Sequence, residues 1–175
     1  MAQYVYSVAS MRYGTPTGSN TMPASGTMTA LPDTVKGSIT IDETEGSVLR
    51  FYVDQKKEPV RSIKAEEGEF TLTAQFYDMT FAHLAAFKGG TAPTGTHGTT
   101  TPNKFVPSVG YTTVDKAIRI VFDSGHVLNL FNASCTSRMT GGGGRDKMLA
   151  MEIKAVPQVS TDLAGAYELT DELVP

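Results

Sequence analysis

The stretch from Glu69 to Phe87 constrains the fold more than any other part of this sequence, because its hydrophobic period changes halfway. The first half alternates apolar with polar residues, a period of two that predicts a half-buried strand. Its apolar positions are Phe70, Leu72, Ala74 and Phe76. The second half is dense in helix formers with apolar residues at helical spacing. Asp78 or Thr80 suits the start of this helix, and Gly89-Gly90 suits its end.

Shorter alternating runs predict strands along most of the remaining chain. A first strand is predicted within residues 1–10, and residues 37–77 are predicted to form a four-stranded antiparallel meander. Residues 116–131 are predicted to form a hairpin, and residues 148–156 a last long strand that Pro157 ends. Seven or eight strands with one helix predict a mainly β fold, with two packed antiparallel sheets (a β-sandwich or barrel) flanked by one α-helix.

Two long segments rich in Gly, Thr, Ser and Pro interrupt this pattern, at residues 12–34 and 89–107. Loops of such length are uncommon in compact domains and tend to be functional or disordered. We interpret residues 12–34 either as a surface loop without regular structure or as an arm that becomes ordered against a neighbouring subunit. The acidic tail, residues 160–175, is expected to be a short strand or a disordered end. Length and composition favour a single domain over residues 1–175.

The bulk composition bounds the classes of function. The 175 residues are 40% hydrophobic and 19% charged, with a net charge of −3. A protein that docks on nucleic-acid phosphates usually shows a basic excess, so tight DNA binding is not expected, whereas a surface that DNA slides past is compatible with this charge. The lone Cys135 precludes an internal disulfide and is interpreted as a structural thiol. No signal peptide or membrane-length apolar run is evident, so cytoplasmic synthesis and no membrane partner are expected.

The residues with chemical potential do not form a recognisable catalytic pattern. Three histidines fall in three different predicted elements without metal-ligand spacing: His83, His97 and His126. Two nucleophile candidates lack the elbow motif: Ser134 and Cys135. A run of acidic residues at a predicted turn is interpreted as a solvated rim rather than paired catalytic carboxylates: Glu66, Glu67 and Glu69.

The run from Gly141 to Gly144 resembles a phosphate loop only superficially. Lys147 is followed by Met148 rather than Ser or Thr, and the next element is a predicted strand rather than a helix. We interpret the run as a flexible hairpin tip or a close backbone contact. We therefore predict no catalytic, cofactor-binding or metal-binding residues, no cofactor, and no enzymatic activity.

The layout as a whole resembles the tail tube (major tail) proteins of tailed bacteriophages. The features that carry the resemblance are the meander 37–77, the strand 69–77 that leads into the helix 80–87, the hairpin 116–131 and the strand 148–156. The resemblance covers most of the chain but includes no diagnostic short motif. The fold it implies is shared with the tube subunits of contractile tails and of type VI secretion.

The resemblance implies a structural virion protein that self-assembles into stacked hexameric rings. The rings would form the tail tube, assembled in the host cytoplasm, with the segments 12–34 and 89–107 contacting neighbouring rings. The implied partners are further copies of the chain, a tape-measure protein and other tail proteins. DNA would pass through the lumen without specific binding. The alternatives are another phage structural β-module, such as a capsid decoration or tail-completion protein, or a carbohydrate-binding β-sandwich.

Overall fold

The computed structural model describes residues 7–18, 21–51, 59, 61–64, 68–91, 104–108, 110, 113–141, 149–158 and 165–171. The predicted mainly β class is confirmed: in this part of the chain, antiparallel strands dominate and one α-helix is present. The elements are β1 (Val8–Gly14), β2 (Thr29–Ala30), β3 (Thr40–Glu43), β4 (Val48–Phe51), β5 (Arg61–Lys64), β6 (Phe70–Phe76), α1 (Phe81–Lys88), β7 (Gly90–Thr91), β8 (Val106–Pro107), β9 (Val114–Phe122), β10 (His126–Thr140), β11 (Ala150–Pro157) and β12 (Tyr167–Asp171).

The strand β6 and the helix α1 form as the change of period predicts. The alternating apolar residues of β6 point into the core, where Leu72, Ala74 and Phe76 are buried. Thr80 is the N-cap of α1: its hydroxyl accepts a hydrogen bond from the His83 backbone N–H, and the His83 ring accepts one in return from the Thr80 N–H. This reciprocal box satisfies two of the backbone donors that every helix start leaves unpaired.

The main sheet has the strand order β2-β1-β9-β10-β11-β6-β3, with β12 also paired to β10. Its two edge strands belong to one continuous segment, residues 29–43. At the start of this segment the Leu31 N–H donates to the Met11 carbonyl oxygen of β1, at 2.9 Å. Further along, the Val35 N–H donates to the Gln75 carbonyl oxygen of β6, at 2.8 Å. The segment thus pairs with β1 at its start and with β6 further along, which closes the sheet into a barrel where this segment joins the two strands.

The long strand β10 belongs to two sides of this barrel. Its first part, up to Leu130, pairs with β12, and its second part, from Ala133, pairs with β11. The register of its pairing with β9 shifts between these two residues. Such a bulge bends a strand and lets it continue around a closed sheet. The predicted hairpin 116–131 is confirmed, but β10 extends nine residues beyond its predicted end, to Thr140.

The predicted four-stranded meander is wrong in its pairing. All four strands form, but β3 pairs with β6 in the barrel, while β4 and β5 pair only with each other in a separate two-stranded sheet. The β4–β5 hairpin is therefore inserted between two barrel strands. The physical reason is that β3 and β6 pair with each other as far as Thr44 and Glu69, where the Thr44 N–H donates to the Glu69 carbonyl oxygen. The chain between Thr44 and Glu69, which includes β4 and β5, therefore leaves the barrel as a branch.

The predicted irregular segments contain more structure than their composition indicates. Within residues 12–34, the first three residues belong to β1, Thr29–Ala30 forms β2, and Met28 and Leu31 are buried. Residues 12–14 and 28–31 are therefore components of the fold, whereas the described residues between them, 15–18 and 21–27, are mostly exposed. Within residues 89–107, the two ends pair as β7 and β8, while residues 92–103 lie outside the described part of the chain.

The two ends of the chain differ in how much of them the structure describes. The predicted strand within residues 1–10 appears as β1 from Val8, and residues 1–6 lie outside the described part. The acidic tail contributes the strand β12. None of the helical segments among the described residues has the length and apolarity to cross a bilayer.

Candidate functional site

The strands β1, β6 and β9 all run between the same two ends of the barrel, and these two ends differ in construction. At one end, which we call the closed end, Tyr13 of β1 packs against Phe87 of α1 with ring centroids 4.9 Å apart. The Ser137 hydroxyl also donates to the Phe87 carbonyl oxygen, at 3.1 Å. The helix α1 thus plugs this end of the barrel.

At the opposite end, which we call the open end, no helix covers the barrel in the part of the chain that the structure describes. Inward-facing side chains surround a cleft of about 410 Å³. Two of the apolar residues in its wall are largely exposed, Ile41 at 45% and Leu169 at 61%. The lining is apolar apart from one carboxylate, and it consists of Val8, Ile39, Ile41, Glu43, Phe70, Phe122, Leu128, Tyr167 and Leu169.

Two contacts across the cleft hold β12 against the β3–β6 side of the barrel. Tyr167 stacks on Phe70, with ring centroids 4.3 Å apart and an interplanar angle of 29°. The Tyr167 hydroxyl donates to the Glu43 carboxylate at 3.3 Å. Partial burial and the neighbouring Glu43 charge together raise the pKa of Tyr167, so its hydroxyl keeps the proton that it donates. The cleft therefore has a fixed wall with an acidic group at its rim.

The β4–β5 hairpin leaves the barrel at this same open end. Its stem begins at Thr44, which directly follows the cleft residue Glu43, and returns at Glu69. The Glu69 N–H also donates to the Thr44 hydroxyl, at 2.9 Å. Gly68 lies so close to this stem that an added Cβ would overlap the Thr44 carbonyl oxygen. Only a residue without a side chain fits there, so the stem geometry depends on Gly68.

One face of the hairpin is apolar and uncovered. Leu49 lies directly opposite Ile63 across the two strands, and Phe51 occupies the next position on the same face. Their side chains are exposed by 57%, 38% and 51%, respectively. The other face is exposed as well, so the hairpin does not pack on the barrel. An isolated two-stranded hairpin is at best marginally stable in water, and this one exposes the surface that would stabilise it.

The predicted chemical residues are not brought together. His83 caps α1, and burial lowers its pKa, opposed by a hydrogen bond with the Ala30 backbone. Its ring lies edge-on to Tyr13, at 6.1 Å. His97 lies outside the described residues. No group of three or more His, Cys, Asp or Glu in the described ranges is arranged to hold a metal ion.

His126 does have two polar partners that the sequence analysis missed. Its Nε2 lies 2.8 Å from an Asp171 carboxylate oxygen, and its Nδ1 lies 2.8 Å from the Ser124 hydroxyl. These are the residue types of a hydrolase triad. Ser124, however, sits exposed on a tight turn, whereas acyl transfer needs a walled site with aligned oxyanion donors. His126 and Asp171 are cross-strand partners in β10 and β12, so we interpret the contact as a fastening of β12.

The structure describes three of the other residues that were considered for chemistry, Cys135, Ser134 and Glu69. Cys135 is fully buried, and this burial raises its pKa to about 12, which makes the thiol unreactive. Ser134 is its neighbour on the opposite face of β10. Glu69 is exposed beside the hairpin stem, while Glu66 and Glu67 lie outside the described residues, as do residues 142–144 of the glycine run.

Comparison with known proteins adds no assignment. No protein-family model matches this sequence, and no curated protein matches it. The open end and its hairpin are therefore characterised by their own geometry: an acidic-rimmed apolar cleft and a protruding apolar hairpin, side by side on one molecule.

The sequence does not reveal this site, because alternating apolar and polar residues predict where strands form but not which strands pair. Leu49 and Phe51 alternate with Val48 and Arg50 as they would in a barrel strand. One signal could have marked them as a branch: the alternation breaks down into a charged run at residues 54–58, longer than a tight meander turn needs.

Proposed function

We propose that this chain is a structural virion protein that self-assembles into stacked, hexameric rings forming a bacteriophage tail tube. The single observation that carries the proposal is the uncovered apolar face of the β4–β5 hairpin, Leu49, Phe51 and Ile63. A two-stranded sheet with such a face gains stability when a protein surface covers it. The second exposed apolar area, the open-end cleft, gives each copy two separate surfaces for association.

The overall architecture supports the same proposal. The resemblance to tail tube proteins implies packed antiparallel sheets flanked by one helix, and the described residues form a mainly β, antiparallel fold with one α-helix. A closed barrel has few free sheet edges, so its association with other copies depends on appended elements such as the hairpin. The exposed large apolar residues of the described part are mostly aliphatic, which suits protein–protein contact better than sugar stacking. This favours a tube subunit over a carbohydrate-binding module.

Negative-stain electron microscopy of the purified protein tests the proposal. Wild-type protein at high concentration is expected to form rings of uniform diameter and stacks of rings. The test variant is Phe51→Ser, which removes an apolar side chain from the hairpin and leaves the barrel unchanged. This variant is expected to form far fewer rings than the wild type. A wild-type protein that stays monomeric at every concentration, and that is absent from phage tails, would overturn the proposal.

The proposed partners follow from the tube. A tape-measure protein and then DNA would occupy the lumen, and other tail proteins would terminate the tube. With a net charge of −3, the subunit is expected to let DNA pass without specific binding. Filter binding of duplex DNA to assembled rings at physiological salt measures this directly. Retention of DNA at micromolar protein would contradict a passive lumen.

A further inference from the structure

We propose that the Leu49–Phe51–Ile63 face of one copy's β4–β5 hairpin seats in the open-end cleft of a second copy. The inference deepens the proposed function and rests on it for the existence of self-assembly. It names the two surfaces that meet, and it commits to a second copy of this chain as the occupant of the cleft.

Both surfaces are apolar and open. The cleft wall is apolar except for Glu43, and Ile41 and Leu169 remain accessible at its mouth. The hairpin face offers two adjacent large side chains, Leu49 and Phe51, on a protruding element. A projecting apolar element and a concave apolar surface are complementary in shape and chemistry. Joining them removes both exposed patches in one step.

The charges at the two surfaces are also opposite. On the hairpin, Arg61 is the basic residue at a position of the apolar face, since Arg50 alternates to the other face. In β3 and β12, Glu43 is the acidic residue that lines the cleft, whereas Asp171 pairs with His126. Arg61 lies opposite Phe51 and therefore on the apolar face of the hairpin. Glu43 lies in the cleft wall, so Arg61 and Glu43 are the pair expected to meet.

The hairpin that occupies a cleft is expected to come from a second copy of the chain. The hairpin starts at the rim of the cleft in its own molecule, yet all its described side chains are exposed, so it does not occupy that cleft. A hairpin that enters a neighbour's cleft creates an interface between two unlike surfaces. Each added copy then presents one free hairpin and one free cleft, and such head-to-tail contacts close into rings or continue as filaments. This is the interface type that a ring of identical subunits requires.

Disulfide trapping with two separately purified variants, Leu49→Cys and Leu169→Cys, tests the contact. The native Cys135 needs no removal, because it is buried and its raised pKa makes it unreactive. A covalent dimer is expected under mild oxidation of the mixture and is expected to be scarce in either variant alone. A chain carrying both substitutions is expected to form a ladder of multimers. An intrachain disulfide in a monomer would instead show that the hairpin folds into its own cleft, and would overturn the inference.

A charge exchange tests the Arg61–Glu43 pair independently. Arg61→Glu and Glu43→Arg each place like charges together, and each is expected to raise the concentration needed for assembly by at least about tenfold. The double variant restores opposite charges and is expected to recover most of that loss. Matched controls face away from the contact: Arg50→Glu in β4, on the other face of the hairpin, and Glu168→Arg in β12, between the cleft residues Tyr167 and Leu169. Controls that impair assembly as much as the test variants would contradict the assigned contact.

The outcomes separate this inference from the proposed function. Rings that form normally without any Leu49→Cys to Leu169→Cys cross-link would leave the tube proposal standing and overturn the hairpin-in-cleft contact. A protein that neither cross-links nor assembles at any concentration would overturn both. Cross-linked multimers that build into rings would support both.

Discussion

The closed and open ends of the barrel share three strands but differ in what covers them. At the closed end, Tyr13 of β1 and Phe87 of α1 are buried against each other, and backbone polar groups of α1 are satisfied by the Thr80 cap and by Ser137. At the open end, Phe70 and Tyr167 also stack, yet Ile41 and Leu169 beside them are exposed to solvent. Within the described residues, a helix therefore covers the core at the closed end and not at the open end. The open end holds surface that gains from a second molecule.

The two ends are therefore expected to contribute to different properties, the stability of one molecule and its association with other copies. Substitutions at the closed end are expected to act mainly on the folding of one molecule. Substitutions at the tip of the open end are expected to act mainly on association. The following four changes are ordered by their expected effect on the stability of a single molecule.

The largest effect is expected from Phe87→Ala at the closed end. Phe87 is fully buried, so its truncation loses apolar burial and leaves a cavity between α1 and the barrel. The free energy of unfolding is expected to fall by about 3–5 kcal/mol. Urea denaturation followed by circular dichroism measures the change. A loss below about 1 kcal/mol would mean that the helix is not the plug described here.

A smaller effect is expected from Gly68→Ala at the stem of the hairpin. The added methyl group overlaps the Thr44 carbonyl oxygen, which is backbone and cannot rotate away. The expected loss is about 1–3 kcal/mol, typical of overpacking. Gly26→Ala is the matched control, because a Cβ there meets nothing within 4 Å. Equal effects of the two substitutions in thermal unfolding would contradict a tight stem.

A smaller change in the free energy of unfolding is expected from the ion pair on the outer wall of the barrel, between the two ends. The Arg138 guanidinium donates to both oxygens of the Glu152 carboxylate, and Gln75 donates to one of them at 3.1 Å. These hydrogen bonds, Arg138 first, hold the pKa of Glu152 below its ordinary value. Because Arg138 is largely exposed, Arg138→Ala is expected to cost under about 1 kcal/mol at neutral pH.

The pH dependence of this ion pair follows from the direction of the Glu152 shift. A lowered folded-state pKa stabilises the protein above the ordinary glutamate pKa, and the contribution disappears as the pH falls through the lower, folded-state value. The difference in unfolding free energy between wild type and Arg138→Ala should therefore shrink on acidification. A difference that stays constant from neutral to strongly acidic pH would show that the pair does not cause it.

The smallest effect on stability is expected from Leu169→Ser at the open end. Its side chain is mostly exposed, so the free energy of unfolding should change by no more than about 0.5 kcal/mol. Ring formation, by contrast, should be strongly reduced, because the cleft loses an apolar contact. Paired urea titration and electron microscopy measure the two effects. A stability loss as large as that of Phe87→Ala would break the distinction between the ends.

Most strands and the helix of this fold can be predicted from the sequence, whereas the pairing of the strands cannot. The period change between Phe76 and Phe81 predicts β6 and α1 with their caps, because local hydrophobic spacing and capping chemistry decide both. The partner of β3 is decided by contacts distant in sequence, so a pattern of alternating strands cannot distinguish a meander from an inserted hairpin. The extension of β10 escaped prediction because its bulge shifts the alternation near Asn132.

The candidate site was the least predictable part for the same reason. Whether Leu49 and Phe51 are core or surface depends on whether a second sheet lies over them, which no local pattern encodes. The segment 12–34 shows the opposite error: its polar composition predicts a loop or arm, yet Leu31 and its neighbours join the two edges of the barrel. Deleting that segment would therefore damage the fold itself and would not isolate assembly.

Sedimentation velocity across a range of protein concentrations, on wild type and Phe51→Ser side by side, tests the central claim most directly. The wild-type sedimentation coefficient is expected to rise with concentration toward that of rings, while Phe51→Ser is expected to remain a folded monomer. A wild-type protein that sediments as a monomer throughout, or a Phe51→Ser variant that assembles as readily as wild type, would contradict assembly through the hairpin face.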